Sequence, residues 1–324
     1  MSFPVERPRR LRATPAMRRL VAETTLAPHQ LVLPMFVREG ARDPRPVSAM
    51  PGVVQHTRDT LRKAALEAVE AGVGGLMLFG VPEARDETGS GAVDPNGVLN
   101  VAIRDVVAEV GDATVVMADL CLDEFTSHGH CGVLATDGSV DNDATLRLYE
   151  QMALAQAAAG VHLVGLSGMM DGQVGAVRRA LDHDGYTGVG TLAYAVKYAS
   201  SFFGPFREAM ESTLQGDRRT YQQDPSNGRE AMREVRLDVA EGADIVMVKP
   251  AMPYLDVLAR IREAVDVPVA AYQVSGEYAM VEAAAANGWI DRDQAIREAL
   301  VGIRRAGADI VLTYWAVEVA RSLR

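Results

Sequence analysis

The sequence has few of the features that mark secreted, membrane or nucleic-acid-binding proteins. It contains only two cysteines among 324 residues, which excludes a disulfide framework and fits a reducing compartment. No apolar run approaches the roughly 18–20 residues that a membrane helix requires, and no apolar signal core follows the N-terminus. The net charge of −10 and the isoelectric point of about 5.2 argue against a general nucleic-acid or anionic-membrane surface. We therefore expect a cytoplasmic protein with no nucleic-acid or membrane partner.

Lysine is scarce as well. Lys63, Lys197 and Lys249 are the only lysines among 33 basic residues, and the rest are arginine. Lys63 lies in the helical pattern TRDTLRKAALEA and is expected at the surface. Because the chain uses arginine almost everywhere else, Lys197 and Lys249 are candidates for a chemical role that requires an amine and that a guanidinium group cannot fill.

Eight short apolar runs alternate with amphipathic segments from Leu31 onward. The runs are nearly continuous in apolarity, as expected for strands covered on both faces. They span residues 31–37, 75–80, 114–120, 163–167, 188–194, 245–250, 268–274 and 309–315, and predicted helices include 57–71, 143–159, 229–241, 254–264 and 291–305. This alternation predicts an α/β fold, a (β/α)8 TIM barrel over residues 31–324. An open doubly wound sheet is the alternative, but PMFVREGARDP lacks its GxGxxG fingerprint.

An Arg- and Pro-rich segment, residues 1–30, precedes the barrel. Because the rest of the protein is acidic, we expect this basic N-terminal arm to contact a neighbouring subunit. A frayed, solvated terminus is the alternative.

The ends of the predicted strands collect the chemistry-bearing residues, as is usual in barrels. Lys197, Lys249 and Cys121 are predicted to meet at one rim. Lys249 ends the apolar run VMVKP, where burial lowers the pKa of an amine and a second ammonium at Lys197 acts in the same direction. A neutral amine can form a Schiff base with a ketone or aldehyde, whereas arginine cannot. A structural ion pair is the alternative role.

The segment DLCLDEFTSHGHCG, residues 119–132, concentrates cysteines, acids and histidines. Thiolates favour zinc, and a carboxylate is an acceptable third ligand. We therefore expect Cys121, Asp123 and Cys131 to form a three-ligand zinc site with an open position. Two buried, inert thiols are the alternative.

The long segment 198–228 directly follows Lys197 and is expected to act as a lid over the site. Its arginines Arg207, Arg218 and Arg219 are suited to hold a substrate carboxylate through paired hydrogen bonds.

Long ordered motifs give the sequence a family resemblance. They include the RPRRLR arm, KYASSFFGPFREA, GDRRTYQ, IVMVKPAMPYLD, YQVSGEYAM, RRAGAD and LTYW. Through these motifs the chain resembles the porphobilinogen synthase (5-aminolevulinate dehydratase) family. The resemblance implies a lyase that condenses two 5-aminolevulinate molecules to porphobilinogen in tetrapyrrole (haem) biosynthesis. It also implies a barrel whose arm holds neighbouring subunits, commonly in a homo-octamer.

The resemblance implies a role for each matching position. Lys249 would form the Schiff base with the propionate-side substrate, and Lys197 the one with the acetate-side substrate. The substrate-binding residues would be Arg207, Arg218 and Gln222 on the acetate side, and Ser275 and Tyr314 on the propionate side. Glu234 matches a magnesium position that lies between subunits in some members.

Three departures separate this chain from the family pattern. Asp123 stands where zinc-type members have a third cysteine, whereas magnesium-type members lack the cysteines. SDMMDGR is replaced by SGMMDGQ, with Gly168 and Gln173, and the tyrosine before GPFRE is Phe203. The lysines are unaffected, so these departures bear on fine positioning.

Two other functions remain open on the residues alone. A generic Schiff-base aldolase or lyase would need one lysine and would leave the cysteine cluster without a role. A non-enzymatic, zinc-stabilised assembly protein would not trap substrate on lysine.

Overall fold

A ring of eight parallel strands forms the centre of the structure, a computed structural model that describes residues 6–324. The strands are β1 (Leu31–Arg38), β2 (Arg45–Pro46), β3 (Val54–His56), β4 (Gly75–Val81), β5 (Val115–Leu120), β6 (Leu163–Leu166), β7 (Gly190–Lys197), β8 (Ile245–Lys249), β9 (Val269–Tyr272) and β10 (Ile310–Leu312). The strands from β4 to β10 pair in sequence, and β1 pairs with both β4 and β10. The small β2–β3 pair lies beside β1. This closed ring confirms the predicted TIM barrel.

Helices accompany the strands, and most of them connect consecutive strands around the outside of the ring. They are α1 (Pro15–Leu20), α2 (Arg58–Ala71), α3 (Val98–Val110), α4 (Asn142–Ala158), α5 (Gln173–His183), α6 (Gly204–Ala209), α7 (Gly228–Glu241), α8 (Leu255–Ala264), α9 (Ser275–Ala286), α10 (Arg292–Arg305) and α11 (Ala316–Ser322). Short 3-10 helices lie at Pro8–Arg12, Pro28–Gln30, Ser90–Ala92, Gly111–Ala113, Ser201–Phe203 and Met252–Tyr254. The five predicted helices are α2, α4, α7, α8 and α10, and α3, α5 and α9 complete the connections between strands.

Local signals set the bounds of α2. The side chain of Thr57 accepts the N–H of Thr60 at 3.1 Å, which caps the first turn. Gly72 ends the helix in the left-handed region, with φ of +82°, and lets the chain turn back toward β4. Lys63 is exposed on this helix, as predicted.

Close packing inside the ring positions one aromatic residue of the site. Every residue of β4 is buried, as the continuous apolar run predicts. In β6, a Cβ atom at Gly165 would lie 3.1 Å from Met77 Cε and 3.3 Å from Tyr194 Cε2. The absent side chain therefore leaves room for Tyr194, which points from β7 toward the lysines.

The N-terminal segment lies outside the core. Residues 6–30 include the Pro8–Arg12 turn and α1, and neither of these elements contains a buried residue. Leu11 and Leu20 are among the exposed large hydrophobic residues. The predicted arm begins at residue 1, and its residues 1–5 lie outside the described residues. Its role in subunit contacts stays a prediction.

Candidate active site

Two lysines lie side by side at the C-terminal rim of the barrel. Lys197 is the last residue of β7, Lys249 is the last residue of β8, and the two pair directly in the strand register. The register shifts between Ala193 and Val196 in β7, a bulge of the kind that redirects side chains near active sites. Each lysine is only 5% exposed. The predicted convergence of the two amines is confirmed.

Aromatic rings surround the amine of Lys249. Its Nζ lies 4.5 Å from the centroid of the Tyr272 ring, 5.1 Å from Tyr194, 5.2 Å from Phe206 and 5.4 Å from Phe203. Burial, reinforced by the positive charge of Lys197, lowers the pKa of Lys249 to about 7. A large fraction of this amine is therefore neutral, and thus nucleophilic, near neutral pH.

Polar groups surround the amine of Lys197. Its Nζ donates to the backbone carbonyl of Ser167 at 2.5 Å, and the Ser167 hydroxyl donates to Asp119 Oδ2 at 2.8 Å. Burial raises the pKa of Asp119 to about 6, although both lysines oppose this shift. The Tyr194 hydroxyl lies near this carboxyl group, and the charge and hydrogen bonding of Asp119 add to burial in raising the pKa of Tyr194. A buried carboxyl group thus lies beside both amines.

A small cavity of about 20 Å³ lies between the lysines, which is room for about one water molecule. Its wall includes Phe79, Asp119, Asp123, Ser167, Lys197, Phe203, Phe206, Arg207, Met210, Ser212, Arg218 and Lys249. Six of these residues belong to segment 198–228, which closes over the rim as the sequence predicts. The Phe206 ring lines the cavity and packs against Phe36 and Phe79 at centroid distances of 5.7 and 5.2 Å.

Two arginines of this segment reach the cavity. Arg218 is almost fully buried, and it donates to Asp123 Oδ2 at 2.7 Å and to the backbone carbonyl of Gly129 at 2.8 Å. Arg207 is less deeply buried, and its pKa is lowered by burial and by the charge of Arg218. The third predicted arginine, Arg219, is exposed and lines a neighbouring pocket instead.

The predicted metal ligands also converge. One ligand atom each from Cys121, Asp123 and Cys131 lies within 4.8 Å of the others, and both thiols are free and buried. Burial raises the pKa of the Cys121 thiol. The pKa of the Cys131 thiol is lowered, because the hydrogen bond between the two thiols and the charge of Arg218 together outweigh the effect of burial. Two soft donors beside one carboxylate fit a thiophilic divalent ion. This group could therefore hold a metal ion.

Besides the two cysteines, the predicted site residues Gln222, Glu234, Ser275 and Tyr314 lie outside the wall of this small cavity. Gln222 and Glu234 line an adjacent pocket of about 390 Å³ together with Asp171. Ser275 Oγ accepts the N–H of Phe206 at 2.9 Å. The Tyr314 hydroxyl lies 3.0 Å from the hydroxyl of Tyr272. Ser275 and Tyr314 thus contact Phe206 and Tyr272, respectively. The rings of Phe206 and Tyr272 in turn lie next to the amine of Lys249.

Sequence reasoning missed several residues of the site. In the sequence, Asp119 and Ser167 lie at the ends of the predicted strands 114–120 and 163–167, and no motif assigns them a role. Tyr194 and Phe206 look like ordinary core residues in a linear sequence, and only the ring closure and the fold of segment 198–228 bring them to the lysines. A polar residue at the C-terminal end of a barrel strand is the signal that would have selected Asp119 and Ser167.

Three residues that depart from the family pattern, Gln173, Phe203 and Gly168, make different contacts in the structure. The Gln173 side chain donates to the carbonyl of Leu166 at 2.9 Å and accepts the N–H of Met170 at 3.1 Å, so it stabilises the turn before α5. Phe203 presents a ring and no hydroxyl to Lys249. Gly168 packs against Tyr149 of α4.

A (β/α)8 barrel with two adjacent buried lysines at its rim defines a lyase of the Schiff-base class. The chain belongs to the delta-aminolevulinic acid dehydratase family, whose model matches residues 5–322. It is 67% identical to the delta-aminolevulinic acid dehydratase of Streptomyces coelicolor over 325 residues, covering 100% of this chain and 98% of that protein. It is 66% identical to the Mycobacterium tuberculosis protein of the same name, covering 98% of each chain.

A solved relative shares the fold almost throughout. The crystal structure of delta-aminolevulinic acid dehydratase (porphobilinogen synthase) from Toxoplasma gondii contains the reaction product porphobilinogen. It superposes with a TM-score of 0.95 at 44% identity, covering 98% of this chain and 91% of that one. Within residues 6–324 of the present protein, no helix has the length and apolarity needed to span a membrane.

Proposed function

We propose that this protein condenses two molecules of 5-aminolevulinate to porphobilinogen with loss of two water molecules, through Schiff bases on Lys197 and Lys249. The observation that carries this proposal is the direct pairing of the two lysines at neighbouring strand ends. A lyase that uses one lysine would leave the second buried amine without a role. Burying a second ammonium carries a free-energy cost that a structural role would not offset.

The two amines act as nucleophiles. Each attacks the ketone carbon of one substrate, and the carbonyl oxygen leaves as water to give an imine. Loss of a proton beside one imine gives an enamine, which attacks the other imine carbon and forms the new carbon–carbon bond. Attack by a substrate amine on the second lysine-bound carbon closes the ring, and proton loss makes it aromatic as both lysines are released. Lys249 holds the propionate-side substrate and Lys197 holds the acetate-side one.

Asp119 is the residue best placed to move protons in these steps. It lines the same cavity as both amines, and the Ser167 hydroxyl orients it by donating to one of its oxygens at 2.8 Å. A positioned carboxyl group within reach of reacting carbon and nitrogen atoms is suited to general acid–base catalysis.

Each substrate carries a carboxylate, and other residues of the site are proposed to bind these two carboxylates. Arg207, Arg218 and Gln222 are proposed to hold the acetate-side carboxylate, with the arginines supplying charge-assisted hydrogen bonds. Gln222 suits this role because its buried Nε2 has no hydrogen-bond partner within residues 6–324. Ser275 and Tyr314 are proposed to hold the propionate-side carboxylate with their hydroxyls. Because the cavity holds about one water, segment 198–228 must open to admit substrates, and Ser275 must exchange the Phe206 N–H for substrate.

The group formed by Cys121, Asp123 and Cys131 is proposed to hold zinc. Thiolates are ligands that magnesium does not choose, and three protein ligands leave an open coordination position. When bound, the ion supplies Lewis acidity that polarises an oxygen or orients an amine near the acetate-side substrate. Arg218 links this group to the substrate site because it pairs with Asp123 at 2.7 Å.

Assembly is proposed to depend on the arm and on magnesium. The described part of the arm carries exposed arginines and leucines that the barrel of the same chain does not bury, which suits contact with an acidic neighbouring subunit in a homo-octamer. Glu234 is half-buried near Asp171 and Glu230. Burial raises its pKa most, and the like charges of these two residues raise it further. A magnesium ion at Glu234, completed by waters, would offset this repulsion. The reduced thiols fit a cytoplasmic enzyme.

Incubation of the purified protein with 5-aminolevulinate, followed by detection of the pyrrole product, tests the proposed function. We expect porphobilinogen from the native chain and none from Lys249→Arg, which keeps a positive charge but cannot form an imine. Lys63→Arg is the matched control, because it makes the same exchange at the exposed lysine of α2. A native protein that forms imines without pyrrole would point to a generic aldolase. One that forms neither would point to an assembly protein.

A further inference from the structure

A tyrosine outside the proposed reaction lies against the cysteines. Tyr149 of α4 is fully buried, and its hydroxyl donates to the backbone carbonyl of Cys131 at 2.6 Å. The same hydroxyl lies 3.9 Å from Cys121 Sγ. One side chain therefore contacts both residues that supply the thiols.

Gly168, which follows β6, makes room for this tyrosine. A Cβ atom at Gly168 would overlap the Tyr149 hydroxyl oxygen and would lie 2.5 Å from Cζ and 2.6 Å from Cε2. Gly168 is not among the glycines with positive φ, so its backbone conformation does not require glycine. The space taken by Tyr149 is the feature that excludes a side chain at this position.

Tyr149 belongs to a row of polar groups on one face of α4. Gln156 donates to the backbone carbonyl of Asp119 at 2.8 Å, and Thr145 Oγ1 accepts the N–H of Val133 at 3.1 Å. The spacing of four and seven residues places all three side chains on the same helix face. This face therefore binds the main chain at Asp119, Cys131 and Val133, on both sides of the loop that connects the proposed metal ligands.

We propose that Tyr149 is a positioning residue for the Cys121–Asp123–Cys131 metal site, and that Gly168 is present to admit it. The hydroxyl fixes the Cys131 backbone and so orients its thiol toward the other two donors. It also places a neutral group 3.9 Å from Cys121 Sγ, where a carboxylate would add repulsion to the negative charge of the thiolates. This inference rests on the metal site of the proposed function. Groups that orient metal ligands commonly contribute about 10–100-fold to metal affinity.

The Tyr149→Phe variant tests the proposal, because it removes the hydroxyl and keeps the ring. Zinc affinity is measured by competition with a chromophoric chelator, and the thermal stability of the zinc-free protein is measured in parallel. Tyr198→Phe is the matched control, since the buried Tyr198 also donates to a backbone carbonyl, that of Asn227 at 2.9 Å. We expect both variants to lose similar stability, but only Tyr149→Phe to bind zinc at least about tenfold more weakly.

Equal zinc affinity in Tyr149→Phe and the native protein would overturn this inference and leave the proposed metal site intact. A native protein that binds no zinc would overturn the metal site and this inference together. These two failures are therefore distinguishable in the same titration.

A second set of variants tests the pairing of Gly168 with Tyr149. Gly168→Ala alone should be strongly destabilised, because the new methyl group displaces the ring. Adding Tyr149→Ala should relieve that clash, so that the double variant is no less stable than Tyr149→Ala alone while its zinc affinity stays low. Additive losses of stability would overturn the pairing.

Discussion

The reactivity of Lys249 should depend on pH in a way that its surroundings set. Burial and the charge of Lys197 lower the pKa of Lys249 from an ordinary 10.5 to about 7. At pH 7 an ordinary lysine is neutral in about 0.03% of molecules, whereas a lysine of pKa 7 is neutral in about half. The neutral, nucleophilic form is thus enriched roughly 1,500-fold at this pH.

Reductive trapping measures this enrichment directly. Levulinate has the ketone and carboxylate of the substrate but no amine, so its imine cannot proceed to a pyrrole. After short incubations at a series of pH values, borohydride fixes the imine, and peptide mass spectrometry quantifies the adduct at Lys249. Because the lowered pKa leaves the amine mostly protonated below about 7, we expect the rate to rise with pH and to level off above that value.

The Lys197→Met variant separates the two causes of the shift. Removing the neighbouring ammonium should move the midpoint upward, but burial persists, so the midpoint should stay below 10.5. Lys63→Met, at the exposed lysine of α2, should leave the midpoint unchanged. A native trapping rate that still rises tenfold per pH unit above pH 9 would refute the reasoning. An unchanged midpoint in Lys197→Met would refute the contribution of Lys197.

Three further predictions concern the metal, the arm and a buried carboxylate. Asp123→Cys should tighten zinc binding and reduce sensitivity to chelators, whereas Cys131→Ala should lose zinc and activity; full activity of zinc-free protein by metal analysis would contradict this. Deleting residues 1–12 should give smaller, weakly active species by light scattering, and an intact, active assembly would contradict the proposed arm. Glu277→Gln should lower the free energy of unfolding by about 1–3 kcal/mol, since the native carboxylate accepts three backbone N–H groups, including that of Val274 at 2.7 Å. An unchanged urea midpoint would contradict that effect.

The barrel could be predicted because its strands have a simple physical signature. Strands buried on both faces must be apolar throughout, so each of the eight runs stands out between amphipathic helices. The same logic placed Lys197 and Lys249 together, since neighbouring strand ends in a closed barrel are adjacent in space. The bulge in β7 leaves no trace in the sequence, yet it contributes to the register that pairs the two lysines.

The finer contacts of the site could not be predicted because they join distant segments. The ion pair between Asp123 and Arg218 spans 95 positions, and it depends on how segment 198–228 folds over the rim. In the sequence, Gly168 replaces the aspartate of the family motif SDMMDGR, and nothing there indicates what fills the space of the lost carboxylate. In the structure Gly168 is one half of a packed pair with Tyr149, a residue whose helical pattern gives no hint of a role near the cysteines.

The most direct test of the two-lysine mechanism is a map of trapped adducts during turnover. The native protein is mixed with isotopically labelled 5-aminolevulinate, treated with borohydride within the first turnovers, and digested for peptide mass spectrometry. We predict labelled adducts on both Lys249 and Lys197, together with porphobilinogen in an untreated sample. Full porphobilinogen formation by a Lys197→Met variant, with adducts confined to Lys249, would contradict the mechanism.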